Sequence, residues 1–178
     1  MMRRILKLKY YRMTDRVFDP IFATPGSACF DLKAYFGPDS RKVTVYTKTN
    51  ERIEKHCGKL DIHDEFCLIA DPGDRMVIPT GLIFDIPEGH SIRIHPRSGL
   101  SLKVGMVLAN QEAVIDADYR EQTYILLKND STERVKIFHG DRICQGELIQ
   151  NLKYDIERTD TRPESVEGRD GGMGSTGK

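Results

Sequence analysis

The stretch DPGDRMVIPTGLIFDIPEGHSIRIH, residues 71–95, decides the fold class of this chain. It contains runs rich in β-branched and other apolar residues at Arg75 to Pro79, Leu82 to Ile86 and Ser91 to His95. The turn-forming sequences DPGD and PEG interrupt these runs at short intervals. Short strands separated by frequent turns predict a β-sandwich, a jelly roll or a barrel.

The same alternation continues on both sides of this stretch, whereas helical periodicity is almost absent. Further strands are predicted at Ile5 to Tyr10, Val43 to Thr47, Thr123 to Lys128 and Arg134 to Phe138. The segment 37–71 is more polar and more irregular, so we expect it to be an insertion that forms an extra hairpin on the main body. The chain is therefore predicted to be all-β.

Length and composition predict one β domain followed by an arm. The chain has 178 residues, of which 39% are hydrophobic, and residues 1–154 can bury a core of ordinary size. Residues 155–178 are dominated by charged residues, glycine, serine and threonine, so this arm cannot fold by itself. The arm closes with RDGGMGSTGK, a composition whose backbone amides can wrap around phosphate oxygens.

Charge and hydropathy exclude several partners. The 27 lysines and arginines balance 27 aspartates and glutamates, which argues against a protein that coats nucleic acid. A polyanionic ligand must then be met by a local cationic cluster. No apolar stretch approaches the roughly 20 residues that cross a bilayer, and the N-terminal segment lacks the apolar run of a secretory signal. We expect an intracellular, cytoplasmic protein with its four cysteines reduced.

A group of soft metal ligands leaves two interpretations open. His56, Cys57, His63 and Cys67 lie within twelve positions and are residue types that zinc prefers. The adjacency of His56 and Cys57 and the absence of two-residue gaps favour ordinary loop and strand roles instead.

Two segments carry residues suited to phosphate chemistry. HPRSGLSLKVG, residues 95–105, places an arginine and a hydroxyl beside a glycine, and these groups can grip a phosphate from two sides. EAVIDADYREQ, residues 112–122, places Asp116 and Asp118 on one face of a strand, where one carboxylate could act as a base. Taken alone, the first segment is better explained as an arginine in a surface turn. The second is explained about as well as an acidic turn at the end of a strand.

These two segments belong to a set of five motifs that occur in a fixed order along the chain. They are TPGSACFDLKA (24–34), PRSGLSLKVG (96–105), LANQEAVIDADYREQ (108–122), HGDRICQGELI (139–149) and RDGGMGSTG (169–177). Together they resemble the motifs of the trimeric dUTPase family, the deoxyuridine 5'-triphosphate nucleotidohydrolases. The resemblance extends over nearly the whole chain.

The resemblance implies a distorted jelly-roll subunit in a homotrimer with shared active sites. It further implies magnesium-dependent hydrolysis of dUTP to dUMP and pyrophosphate. Asp116 would activate the water that attacks the α-phosphorus. Asp31 would hold Mg²⁺ through one of its waters, while the substrate phosphates supply most of the other ligands.

The resemblance also assigns the substrate contacts. The phosphates would be met by Arg97, Ser98, Gly99 and Gln145, and the arm would close over the β- and γ-phosphates with Arg169, Gly172, Met173, Gly174, Ser175 and Thr176. Uracil would be read at Asn110, Val114 and Ile115, with hydrogen bonds from the backbone of a hairpin. The ring of Tyr119 would lie against the deoxyribose and exclude ribonucleotides.

Several departures and two alternatives accompany this interpretation. Cys29 and Ala113 replace glycines common in the family, Glu121 and Gln122 stand where a glycine and an acid or amide are frequent, and the gap between Asp31 and Arg97 is longer than expected. Met173 stands where the family usually has a phenylalanine that stacks on uracil, and a thioether contacts the base less directionally. A bifunctional dCTP deaminase/dUTPase is disfavoured because residues 123–129 contain no acid to handle the deamination protons. A dUTPase-like interaction module would use segment 37–71 to hold a protein partner.

Overall fold

The computed structural model describes residues 6–38, 40–59 and 66–165 and confirms the predicted all-β class. Its elements in chain order are β1 Lys9–Arg12, β2 Ile21–Phe22, β3 Phe30–Lys33, β4 Lys42–Tyr46, β5 Arg52–His56, β6 Gly58–Lys59, β7 Phe66–Ala70, β8 Arg75–Pro79, β9 Leu82–Asp85, β10 His90–Pro96, α1 Ser98–Val104, β11 Met106–Leu108, β12 Ala113–Ile115, β13 Tyr124–Asn129, β14 Val135–Phe138 and β15 Arg142–Gln150.

Two five-stranded antiparallel sheets enclose the core, as expected for a jelly roll. One has the order β12-β10-β15-β3-β2, and the other has the order β11-β13-β8-β4-β5. Buried side chains from both sheets, among them Ile94 of β10 and Ile125 of β13, meet in a single apolar cluster. The pair β1-β9 and the three-stranded sheet β14-β7-β6 complete the described part of the body.

Side-chain alternation decides which face of each strand is buried. Ile92 and Ile94 of β10 point into the core, while Arg93 and His95 between and after them lie on the opposite, partly exposed face. One sheet can therefore supply apolar packing on one side and polar chemistry on the other.

Segment 37–71 contributes to the core as well as forming the expected hairpin. Strands β4 and β5 pair from Lys42 opposite His56 to Tyr46 opposite Arg52. Strand β4 also pairs with β8, and Val43 and Val45 are almost fully buried. Strand β7, whose FCLIA sequence is a short apolar run, was not predicted and pairs with β14. The hairpin is thus one edge of a main sheet.

The helix α1 was not predicted. It spans only two turns, and Gly105 ends it with φ 73°, a left-handed conformation that glycine adopts without a steric penalty. The glycine that follows SLKV was the sequence signal for this ending. In the described part of the chain, the structure contains no helix that is long and apolar enough to cross a membrane.

A partly buried ion-pair cluster joins β5 to the turn between β7 and β8. The ammonium group of Lys55 donates to one carboxylate oxygen of Asp71 and one of Asp74, each at 2.6 Å. The side chain of Asp74 is only 4% exposed, and Arg134 binds the other oxygen of Asp71 at 2.7 Å. The Lys55 hydrogen bond and, after it, that of Arg134 hold the pKa of Asp71 below its ordinary value. Although burial alone would lower the pKa of Lys55, its hydrogen bonds to Asp71 and Asp74 raise it.

Replacing Lys55 tests this cluster. Lys55→Met should lower the free energy of unfolding by about 3 kcal/mol, because it leaves the carboxylate of Asp74 buried without its cation. The matched control Lys42→Met removes an exposed pair with Glu54 at 3.5 Å and should cost less than about 0.5 kcal/mol. Urea denaturation of both variants at neutral pH measures the difference.

The loss of unfolding free energy caused by Lys55→Met should depend on pH. Because the folded pKa of Asp71 is lowered, its stabilising contribution is complete above the ordinary aspartate pKa of about 3.9 and is lost as the pH falls through the lower folded value. The Lys55→Met penalty should therefore shrink in acid. An equal penalty at pH 7 and pH 3 would contradict the assigned electrostatic origin.

Candidate active site

The polar face of the sheet β12-β10-β15-β3-β2 collects residues from three of the quoted motifs. Cross-strand partners share a face, and the register places His95 opposite Gln145 and Gln145 opposite Asp31. On the core side, Gly146 has no room for a side chain, because an added Cβ would lie 2.5 Å from the ring of Phe30. The close packing on one face thus holds the polar residues in register on the other.

Asp31 is the buried centre of this polar face. It is 2% exposed, and its Oδ1 lies 3.3 Å from Nε of Arg97 and accepts a hydrogen bond from Nε2 of Gln145 at 3.3 Å. Its Oδ2 accepts a hydrogen bond from Nη1 of Arg142 at 3.0 Å. A buried carboxylate requires such partners. The first, second and fourth motifs therefore meet at Asp31.

Arg97 is held from two sides. Besides its contact with Asp31, its Nη1 donates to the carbonyl oxygen of Arg142 at 2.9 Å. Ser98 and Gly99 follow it as the first residues of α1, where backbone amides have no acceptor within the helix. The predicted phosphate-binding residues Arg97, Ser98, Gly99 and Gln145 thus lie at one end of the sheet.

Arg142 was missed as a member of this cluster. It stands in the quoted motif HGDRICQGELI, three positions before Gln145. A register shift in the β15–β3 ladder between Arg142 and Cys144 accompanies its contact with Asp31. The only sequence signal was the arginine itself, because an irregularity of strand pairing has no simple residue pattern.

Asp116 and Tyr119 lie just beyond the end of β12. The side chain of Asp116 is exposed, and its carbonyl oxygen accepts a hydrogen bond from the amide of Tyr119 at 3.1 Å. The phenol of Tyr119 donates to the carbonyl oxygen of Gln122 at 2.9 Å. Burial, followed by the neighbouring Tyr124 and Glu121, raises the pKa of Tyr119, so its hydroxyl is neutral at physiological pH.

The predicted uracil-binding segment connects the two main sheets. Strand β11 pairs with β13, whereas β12 pairs with β10, so the segment is not the closed two-stranded hairpin expected from the sequence. Gln111, with φ 62°, reverses the chain between them. Asn110 lines a cavity of about 290 Å³. Val114 is exposed, while Ile115 is buried in the core.

The arm residues and the candidate zinc ligands are the other predicted site residues. The arm residues Arg169, Gly172, Met173, Gly174, Ser175 and Thr176 lie outside the described residues, as does His63. Cys57 and Cys67 are buried, and burial raises the pKa of Cys57 to about 12. Within the described ranges, His56, Cys57 and Cys67 do not form a group of donors close enough to share an ion. The described residues therefore do not support the alternative of a zinc site at His56, Cys57, His63 and Cys67.

Comparison with known proteins identifies the family. A family model described as dUTPase matches residues 46–177. The chain belongs to the dUTPase family. This confirms the resemblance found in the motifs and, at the level of the family, the predicted nucleotidohydrolase class.

Individual relatives agree with this assignment. A deoxyuridine 5'-triphosphate nucleotidohydrolase of Dinoroseobacter shibae is 36% identical over 89% of this chain and 87% of its own length. That of Finegoldia magna is 38% identical over 76% of this chain and 99% of its own.

Solved structures confirm the fold. The Staphylococcus bacteriophage 80alpha dUTPase with dUPNHPP aligns at a TM-score of 0.67 and 19% identity, covering 97% of this chain and 99% of its own. A mutant dUTPase from phage phi11 of S. aureus, described with a structural Mg(II) ion, aligns at a TM-score of 0.64 and 17% identity, covering 88% of this chain and 98% of its own. The jelly-roll prediction is thereby confirmed.

The buried carboxylate of Asp31 offers a direct test of the site's construction. Asp31→Asn should lower the free energy of unfolding by about 3 kcal/mol, because two guanidinium groups then face each other without an anion. Asp85→Asn is a matched control, since Asp85 also meets two cations, Lys9 at 3.9 Å and Arg120 at 2.8 Å, but is 58% exposed. That control should cost less than about 1 kcal/mol in the same urea titration. Equal costs would show that the charge of Asp31 does not organise the two arginines.

Proposed function

We propose that this member of the dUTPase family hydrolyses dUTP to dUMP and pyrophosphate, with Asp116 as the general base. The observation that carries the proposal is the cationic pair Arg97 and Arg142, joined by the neutral donor Gln145 on the buried carboxylate of Asp31. This group lies at one end of a sheet whose edge strand leads to the exposed Asp116. In a chain without net charge, this cluster is the local binding site that a triphosphate requires.

Phosphate binding rests on Arg97 and the start of α1. A guanidinium has five N–H donors in a fixed fork. The contacts with Asp31 and the carbonyl of Arg142 orient that fork before substrate arrives, and the remaining donors are available to phosphate oxygens. An added Cβ at Gly99 would meet no atom within 4 Å, so the space beside the first-turn amides is open to a ligand.

The residues fit a magnesium ion that is held mainly by the substrate. Direct coordination by Asp31 does not fit, because Arg97 and Arg142 already contact its oxygens and would repel a second cation at that distance. Its Oδ2 accepts a hydrogen bond from Arg142 and keeps a second acceptor site for a water. Asp31 would therefore orient one metal-bound water. The ion, when bound, neutralises charge on the phosphate oxygens.

The nucleoside would be recognised around β12. Asn110 and the backbone beside it would bind the uracil edge, and the exposed side chain of Val114 would pack against the nucleoside. Ile115 is buried, so its contribution would come from the backbone. The hydrogen bond to the carbonyl of Gln122 holds the Tyr119 hydroxyl, which leaves the ring to lie against the deoxyribose. A 2′-hydroxyl would collide with that ring.

The chemical step is an in-line displacement. The exposed carboxylate of Asp116 would accept a proton from the water as that water attacks the α-phosphorus, and pyrophosphate would leave on the opposite side. Arg97 and Gln145 would stabilise the charge that develops on the phosphate oxygens. Closure by Arg169 and the glycine-rich residues after it stays a prediction from the sequence.

Exchange of the carboxylate for an amide tests the assigned base. Asp116→Asn should reduce the turnover number for dUTP by roughly 10²- to 10⁴-fold, because an amide cannot accept the proton. The matched control is Asp118→Asn, which changes another carboxylate two positions away and should leave turnover within about threefold of wild type. Release of dUMP and pyrophosphate with excess Mg²⁺ is the measurement. Full activity of Asp116→Asn would remove Asp116 from its role.

A homotrimer with shared sites is the second part of the proposal. After β15 the chain continues without regular structure, and Leu152, Tyr154 and Ile156 are 84%, 73% and 91% exposed. Large apolar side chains at alternate positions are typical of a segment that packs on another surface. A neighbouring subunit would cover these side chains. The active site would then combine Asp116, the arginine cluster around Asp31 and the arm from different subunits.

Light scattering should report three times the chain mass of 20.3 kDa. The double variant Leu152→Asp/Ile156→Asp should dissociate at concentrations at which the wild type stays assembled. Lys153→Asp, an exposed polar position on the same segment, is its control and should leave the mass unchanged. A fully active wild-type monomer would contradict shared sites.

A further inference from the structure

The polar face of the sheet β12-β10-β15-β3-β2 carries a second cluster beside Asp31. The substrate contacts proposed above do not include it. Sγ of Cys29, a ring nitrogen of His95 and a carboxylate oxygen of Glu147 all lie within 4.8 Å of one another. They come from three separate segments, namely the loop before β3, strand β10 and strand β15. A thiol, an imidazole and a carboxylate are the ligand types of zinc sites.

The imidazole of His95 lies between two carboxylates. Its Nδ1 lies 3.6 Å from Oε1 of Glu112, and the other oxygen of Glu112 lies 3.7 Å from Nη1 of Arg93. Its Nε2 is buried without a hydrogen-bond partner among the described residues, and it lies 3.3 Å from Oε2 of Glu147. Metal-binding histidines are oriented by a carboxylate that accepts a hydrogen bond from the second ring nitrogen, and Glu112 lies just beyond that distance from Nδ1 of His95.

The loop that carries Cys29 is held locally. The amide of Ser27 donates to the carbonyl oxygen of Thr24 at 3.1 Å, and the two hydroxyls lie 3.0 Å apart. Cys29 lies two residues after this hydrogen-bonded turn and directly before β3. Tetrahedral zinc needs donors roughly 3.3 to 3.7 Å apart, so small side-chain rotations would bring this group to coordination distance.

We propose that Cys29, His95 and Glu147 bind one zinc ion per chain, with water as the fourth ligand. The thiol proton of Cys29 is released to solvent as the Zn–S bond forms, and no oxidation occurs. The site is separate from the oxygen-rich magnesium site, because Mg²⁺ prefers hard oxygen ligands and does not compete well for thiolate and imidazole. Zinc would tie the first-motif loop to β10 and β15 immediately beside Asp31.

The electrostatics of the cluster agree with a cation at this position. Burial, followed by the carboxylates of Glu147 and Asp31, raises the pKa of Cys29 above that of an ordinary thiol. Without a metal the thiol is therefore protonated, and the ring of His95 lies between the carboxylates of Glu112 and Glu147. A divalent cation would compensate both carboxylates and the thiolate at once.

Cobalt substitution tests the proposal with the full chain. Zinc-free protein in excess Mg²⁺, titrated with Co²⁺, should develop a sulfur-to-cobalt charge-transfer band that saturates at one equivalent and disappears when Zn²⁺ displaces the cobalt. Cys29→Ser should abolish the band, and His95→Gln and Glu147→Gln should weaken zinc binding more than tenfold. Glu112→Gln should weaken it by about tenfold through its effect on His95. Cys67→Ser and His56→Gln are matched controls and should retain the band.

A measurement on the wild type remains valid if a variant fails to fold. Zinc, but not Mg²⁺, should protect Cys29 from alkylation, as read by peptide mass spectrometry. The proposal is overturned if no charge-transfer band forms, if the band persists in Cys29→Ser, or if zinc leaves the alkylation rate of Cys29 unchanged. Those results would leave His95, Glu112 and Glu147 as a polar cluster without a metal.

Discussion

The buried carboxylate of Asp31 is the interaction on which the described site depends. It is 2% exposed and is compensated by Arg97 and Arg142, with Gln145 as a further donor. A charge in this position is tolerated only with partners of good geometry. Those partners come from distant parts of the chain, so the folded body and the proposed phosphate site form together.

In the sheet that contains β10, one face packs into the core and the other carries the polar groups of the candidate site. Ile92 and Ile94 pack into the core, while Arg93 and His95 on the same strand face outward. Because alternate side chains of a strand point to opposite faces, a small body can hold polar groups in fixed register on a rigid apolar support. The proposed zinc site and the proposed phosphate site share this support.

The strength of the local sequence signal explains which elements were predicted. Strand β8 was predicted with its observed bounds, because turn residues flank a clear apolar run. Strand β7 and helix α1 were missed, the first because its continuous apolar run lies in a polar segment and the second because seven residues carry too little periodicity. The hairpin expected at Asn110 does not form, because β11 and β12 on either side of it pair with strands of different sheets.

The sequence by itself determined the all-β class, the family and the candidate residues, because turn chemistry, alternation and five ordered motifs are local properties of the chain. Only the tertiary structure decided that Arg142 joins Arg97 on Asp31, that residues 42–46 belong to a main sheet, and that Cys29, His95 and Glu147 meet. Such contacts depend on strand register and on burial between distant segments. Strand register and burial cannot be predicted from a local sequence pattern, because both arise only when the sheets pack around a common core.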